Sequence, residues 1–137
     1  MITNIQLITG ALQEIGVISE AETPSADQAA DALRTQNELL AQWEEDGLKL
    51  QYFEQTATGD DCPIPSYAER GVKLRLAIAL APQYGATVSP ELATNAMESF
   101  KTIERRAMND QLQPVATRNI PFGEGQLQTW DITNGSS

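Results

Sequence analysis

The chain has 137 residues, 41% of them hydrophobic, a formal net charge of −10, one cysteine and no histidine. That length buries a core in one domain without covalent staples. The lone Cys62 excludes an internal disulfide, and the lack of histidine excludes histidine-activated nucleophiles and leaves a zinc site short of its usual ligands.

From the N-terminus, Met1–Gln6 has neither a cationic region nor a small-residue cleavage site, so no secretory signal is expected. No apolar run reaches the ~18–20 residues of a membrane span, so no membrane contact is expected. A reducing cytoplasm suits the cysteine usage. The first predicted helix runs from about Asn4 to Ile15. Thr3-Asn4-Ile5-Gln6 reads as a capping box, with Ile2 and Leu7 placed as a hydrophobic staple. Ile5, Ile8, Leu12 and Ile15 share one face, and Gly16 ends the run.

The second helix, about Ala26 to Asp46, starts with the box Ser25-Ala26-Asp27-Gln28. Its stripe is Ala26, Ala29, Ala30, Leu33, Leu40 and Trp43, with Asn37 on or near it and Glu38 and Gln42 outside. It closes on Trp43-Glu44-Glu45-Asp46-Gly47. Gly47 suits a left-handed stop. Three carboxylates at a helix C-terminus oppose the macrodipole by roughly 0.3–1 kcal/mol each, which points to a use for them beyond helix stability, such as a partner surface.

Leu48 to Pro65 is a connection of about eighteen residues, longer than compact domains usually carry. Leu48–Phe53 alternates as a strand would, and Thr58-Gly59-Asp60-Asp61 offers a turn, so a projecting β-hairpin is expected. The third helix, about Tyr67 to Ala81, follows a third box, Ser66-Tyr67-Ala68-Glu69. It is apolar almost all round and is expected to be the central one. Its alternation could also pass for a strand; length and alanine content favour helix. Pro82 ends or kinks it. The fourth runs from about Pro90 to Asn109 behind a Ser89 cap, with Leu92, Ala93, Ala96, Phe100, Ile103 and Ala107 inward. Lys101, Arg105 and Arg106 near its end complement the dipole.

Beyond Gln113, Pro114, Pro121, Gly123 and Gly125 are expected to forbid a helix, yet Val115, Ile120, Phe122, Leu127, Trp130 and Ile132 are too many large apolar groups for a purely disordered tail. The expectation is an extended arm, 114–137, that orders on another surface; the alternative is that it folds back on its own bundle. The fold expected is therefore all-α: a four-helix bundle over 1–113 with 48–65 projecting, then the arm.

Charge is lopsided: residues 1–69 hold 13 acids and 2 bases (−11), residues 70–137 hold 6 acids and 7 bases (+1). Opposed faces of different potential suit a subunit that stacks on something, and the acidity argues against sequence-reading nucleic-acid binding. No phosphate loop, zincin or calcium motif occurs. Cys62 has no basic neighbour to activate it. Asp60-Asp61 and Glu44-Glu45-Asp46 are the dense carboxylate groups, and both lie among polar or turn residues rather than where burial would raise an acid's pKa. No catalytic residue, cofactor or metal site is expected.

Three segments in order resemble the head-to-tail adaptor (tail accessory, head completion) proteins of tailed bacteriophages, of the short-tailed kind. Ala11-Leu12-Gln13-Glu14-Ile15-Gly16-Val17 looks like that family's first helix and turn. Ala29 to Gly47 looks like its long second helix ending in W-x-x-D-G. Leu76 to Gly85 looks like its third, and the likeness spans about residues 5–132. The resemblance implies a non-enzymatic virion protein at the head-tail junction, present in the host cytoplasm during assembly. It implies a homo-oligomeric ring of about a dozen copies, below the portal protein, that extends the DNA channel, helps retain packaged DNA and offers a platform to the next tail (nozzle) protein. The arm, with Val115, Ile120, Phe122, Leu127, Trp130 and Ile132, would reach the portal. Glu44, Glu45, Asp46, Tyr52, Phe53, Asp60 and Asp61 would contact neighbouring subunits or the lumen, where negative charge lets DNA slide past without sequence-specific binding. The competing readings are a carboxylate-based cell-wall hydrolase of the tail and another small helical DNA-packaging accessory.

Overall fold

The computed structural model describes residues 1–118, with the side chains of residues 1–110. Residues Met1–Ala107 form one compact unit, and a second begins at Met108. The elements are α1 (Asn4–Glu14), α2 (Ala26–Glu45), a 3₁₀ turn (Ser66–Ala68), α3 (Glu69–Leu80), a second 3₁₀ turn (Ala81–Tyr84) and α4 (Pro90–Arg118). The architecture is all-α with four helices, as expected.

Local chemistry explains most boundaries. Thr3 and Ser25 each form a complete capping box, with the side chains of Gln6 and Gln28 returning to the cap N–H. Ser89 Oγ accepts from Leu92 N at 3.0 Å, capping α4. The third expected box does not form: Ser66 opens a 3₁₀ turn, and α3 starts only at Glu69 without a side-chain cap. Pro65 fixes an extended approach, and the tight turn lets Ala68 bury fully before the helix proper begins. Gly16, Gly47 and Gly85 have φ of +74°, +101° and +65° and reverse the chain after α1, α2 and the second 3₁₀ turn.

α3 is the central helix, packing against both α1 and α2. Each of two apolar clusters draws on all four helices. One joins Ile8 and Leu12, Ala32 and Leu33, Leu76 and Leu80, and Leu92 and Ala96. The other joins Leu7, Leu40 and Trp43, Val72, and Ile103 and Ala107, with Leu50, Cys62 and Ile64 from the connection. Trp43 meets Phe100 edge-on, with ring centroids 4.9 Å apart. Gly71 lets α4 approach: a Cβ there would overlap Ile103 Cδ1 and stand 3.3 Å from the Ser99 carbonyl oxygen.

Three further expectations are corrected. The 48–65 connection is neither a hairpin nor projecting. No strand occurs among the described residues, and Leu50, Gln55, Cys62 and Ile64 are buried. Its one ladder contact is an isolated antiparallel bridge, Thr3 to Asp61. The stripe of α2 is also rotated: Ala26 and Ala30 are exposed, while Ala32 and Gln36 are buried. Finally, α4 passes Asn109 and continues through Pro114 to Arg118, so the expected boundary after Gln113 falls inside a helix. Proline removes one backbone bond and crowds the preceding turn, a local cost of about 3 kcal/mol that flanking turns can offset.

Candidate functional site

The connection lies on α1 and α2 because their unsatisfied polar groups find partners in it. An α-helix begins with N–H groups that have no partner inside the helix. In α1, Asn4 N donates to the Asp60 carbonyl at 2.9 Å and Ile5 N to the Thr58 carbonyl at 2.8 Å, while Gln6 N donates to Thr3 Oγ1. Cys62 N donates to the Ile2 carbonyl at 2.8 Å. The far end of the connection therefore plugs the start of α1. Asp60 and Asp61 are exposed there, beside a helix N-terminus that favours negative charge.

At the other end Glu44, half-buried on the last turn of α2, does similar work. One of its carboxylate oxygens accepts from Leu50 N at 2.9 Å and from Tyr52 N at 3.0 Å. Gln51 between them has φ of +67°, a left-handed conformation that side chains disfavour; it turns two N–H groups toward one oxygen. Lys49 Nζ donates to the Glu44 carbonyl at 2.9 Å, placing a cation at the helix C-terminus. The residue expected to face a partner is thus engaged within its own chain. Glu45 and Asp46 remain exposed.

Between these ends runs a polar network that apolar patterning does not reveal. Asn4 and Gln36 are fully buried and Gln55 nearly so. Gln36 Nε2 donates to Asn4 Oδ1 at 2.9 Å and to Tyr52 Oη at 3.3 Å. Asn4 Nδ2 donates to Gln55 Oε1 at 2.9 Å and to the Ala57 carbonyl at 3.0 Å. Asn37 Oδ1 accepts from Gln55 N and from the Tyr52 hydroxyl, and its Nδ2 donates to the Gln55 carbonyl at 2.9 Å. Burial pushes the Tyr52 hydroxyl up to about 12, with the Gln36 hydrogen bond working against that rise. Burial, assisted by Glu69, likewise pushes the Cys62 thiol up to about 12, so it carries no thiolate at neutral pH. Gln36 could have been found from spacing: Ala29, Leu33, Gln36, Leu40 and Trp43 recur at steps of three and four, and only its polarity hides it.

The network holds residues 52–59 alongside α2 and leaves a groove with two open lobes. In the first, of about 480 Å³, Asn37, Glu38, Ala41 and Glu44 of α2 face Tyr52, Phe53 and Glu54. In the second, of about 660 Å³, Ala26, Ala29, Ala30 and Leu33 face residues 56–59. Arg34, Asn37 and Glu54 line both. Leu50 and Tyr52, whose N–H groups both meet Glu44, turn inward, while Phe53 faces outward, 66% exposed.

The structure therefore brings Glu44, Tyr52 and Phe53 together, sets Asp60 and Asp61 at the start of α1, and leaves Glu45 and Asp46 outside the lobes. Val115 lies within α4. Ile120, Phe122, Leu127, Trp130 and Ile132 lie outside the described residues. Among the described residues no group of three or more Cys, Asp or Glu is placed to hold a metal ion. No described helix is long and apolar enough to cross a membrane.

No curated protein matches the chain. A family model described as P22 tail accessory factor matches residues 1–135, and so takes in the bundle, the groove and nearly all of the C-terminal segment. The chain belongs to the P22 tail accessory factor family, a tail and head-tail accessory family of tailed bacteriophages, and its role is a structural one in the virion.

Proposed function

We propose that the chain is the repeating subunit of a head-to-tail adaptor ring. In this reading about a dozen copies bind below the portal protein, continue its DNA channel, help retain the packaged genome and receive the next tail protein. The single observation that carries the reading is the family match over 1–135. The chemistry of the surface agrees with it: the chain is strongly acidic, and Glu45, Asp46, Asp60 and Asp61 are exposed carboxylates that would repel phosphates along a channel. Glu44, Tyr52 and Phe53 would act on neighbours through the shape of the groove, since Glu44 is committed to the connection.

The segment carrying Val115, Ile120, Phe122, Leu127, Trp130 and Ile132 would supply the grip on the portal. The ring works without catalysis or cofactor and without specific contact to DNA, and it sits at the head-tail junction of the virion after assembly in the host cytoplasm. Electron micrographs of the purified protein mixed with a matching portal should show a ring on one end of the portal. Deleting residues 119–137, which removes all of these groups but Val115 of α4, should abolish that attachment while leaving the thermal transition of the helical unit nearly unchanged. Intact attachment would remove the segment from the reading, and an undecorated portal would remove the ring.

A further inference from the structure

The first lobe of the groove has the chemistry of a receptor for a guanidinium group, and we propose that it docks an arginine-bearing segment of a different protein. Phe53 offers an exposed ring at the mouth, 66% accessible although it belongs to a segment otherwise tied down by buried bonds. Beside it Glu38 and Glu54 are exposed carboxylates with no hydrogen bond or ion pair to any described residue. Arg34, the cation of the groove, is closed onto Asp31 at 3.2 Å and leaves those carboxylates uncompensated. A flat guanidinium stacks on an aromatic face and forks onto a carboxylate, whereas an ammonium does only part of this. Ala41, exposed on α2, lines the lobe with a methyl group that a methylene stem can touch, and a lobe of about 480 Å³ holds more than one side chain.

A second copy of this chain is a poor occupant. Arg70 donates to Ser99 Oγ at 2.8 Å, Arg75 lies 4.6 Å over the Phe100 ring, and Arg106 lies 5.8 Å over the Tyr67 ring. Lys101 and Arg105 alternate with Glu98 and Glu104 on the exposed side of α4. The described side chains thus offer no uninterrupted basic stripe to enter the lobe. That the partner is another virion protein rests on the adaptor reading; the preference of the lobe for arginine does not.

The test uses the full chain and a labelled peptide of alternating arginine and glycine, with a lysine-glycine peptide for comparison, read by fluorescence anisotropy at low and moderate salt. The arginine peptide should bind, more tightly than the lysine one. Phe53→Ala and the pair Glu38→Gln/Glu54→Gln should each weaken it about tenfold, while Glu14→Gln/Glu20→Gln, an equal loss of charge on exposed residues outside the groove, should leave it within about twofold. Equal losses in both charge pairs would mean general acidity and overturn the proposal. So would absence of binding at low salt, or an unaffected Phe53→Ala. Sedimentation of the protein without peptide decides the other occupant: self-association abolished by Phe53→Ala would give the lobe to a second copy and overturn the proposal too. None of these outcomes bears on whether a ring forms on the portal, which the micrographs decide separately.

Discussion

At the scale of single residues, polar side chains decide as much as apolar ones. Cys62 is fully buried beside Gln36, whose Nε2 stands 3.6 Å from its Sγ. A thiol held up to about 12 against an ordinary 9.0 stays protonated in the folded protein while the unfolded chain ionises. The folded state then binds more protons, so stability falls as pH rises through the window from about 9 to 12, and Tyr52 adds to the same slope from about 10. Melting temperatures taken across that window should fall, and Cys62→Ala should flatten the fall. In native protein near neutral pH, labelling of Cys62 by a thiol reagent should be at least about 100-fold slower than in denaturant, because burial and lost thiolate both oppose it. Trp43 makes a different case. It is 8% exposed and packed on Phe100, so Trp43→Ala should cost about 3–5 kcal/mol in a denaturant titration. A loss below about 1 kcal/mol would place the indole outside the core.

At the scale of elements, the connection and the helices stabilise each other. The acidic end of α2 looked costly because carboxylates oppose the local dipole; Glu44 offsets that by receiving two backbone N–H groups of the connection. Glu44→Ala should cost about 1–3 kcal/mol, since it leaves partly buried donors without an acceptor. Hydrogen exchange at the Leu50 and Tyr52 amides should quicken most in that variant, while amides in the middle of α3 quicken by no more than the loss of global stability. If exchange at those two amides does not change, Glu44 does not hold the connection. The helices themselves were legible in sequence, since caps at Thr3, Ser25 and Ser89 and stops at Gly16 and Gly47 act within a few residues. Ser66 shows the limit of the same signal: its spacing to Glu69 is right, yet Pro65 and the burial of Ala68 select a 3₁₀ turn. Pro114 shows the converse, a local breaker carried inside a longer helix.

At the scale of the whole molecule, charge limits what the protein can bind. With a net charge of −10, 13 of its 19 acids in the first half, the free protein should show no salt-sensitive affinity for duplex DNA. Anisotropy of labelled duplex at low salt checks this, and tight binding that falls steeply with salt would favour a packaging accessory over an adaptor. Composition, charge, helix number and most helix ends were set by the sequence alone, because hydrophobic period, caps and glycine stops are local or additive properties. The family likeness was legible for the same reason, being carried by short motifs in order. The groove was not legible. Its walls are residues 8 (Glu44 and Tyr52) to 33 (Ala26 and Gly59) positions apart in the chain, and its existence depends on which side of α2 turns inward, a choice that alanines on both faces leave open. Only packing settled that choice, when buried Gln36 and Asn4 found their partners in the connection and left Ala26, Ala30 and Phe53 facing outward.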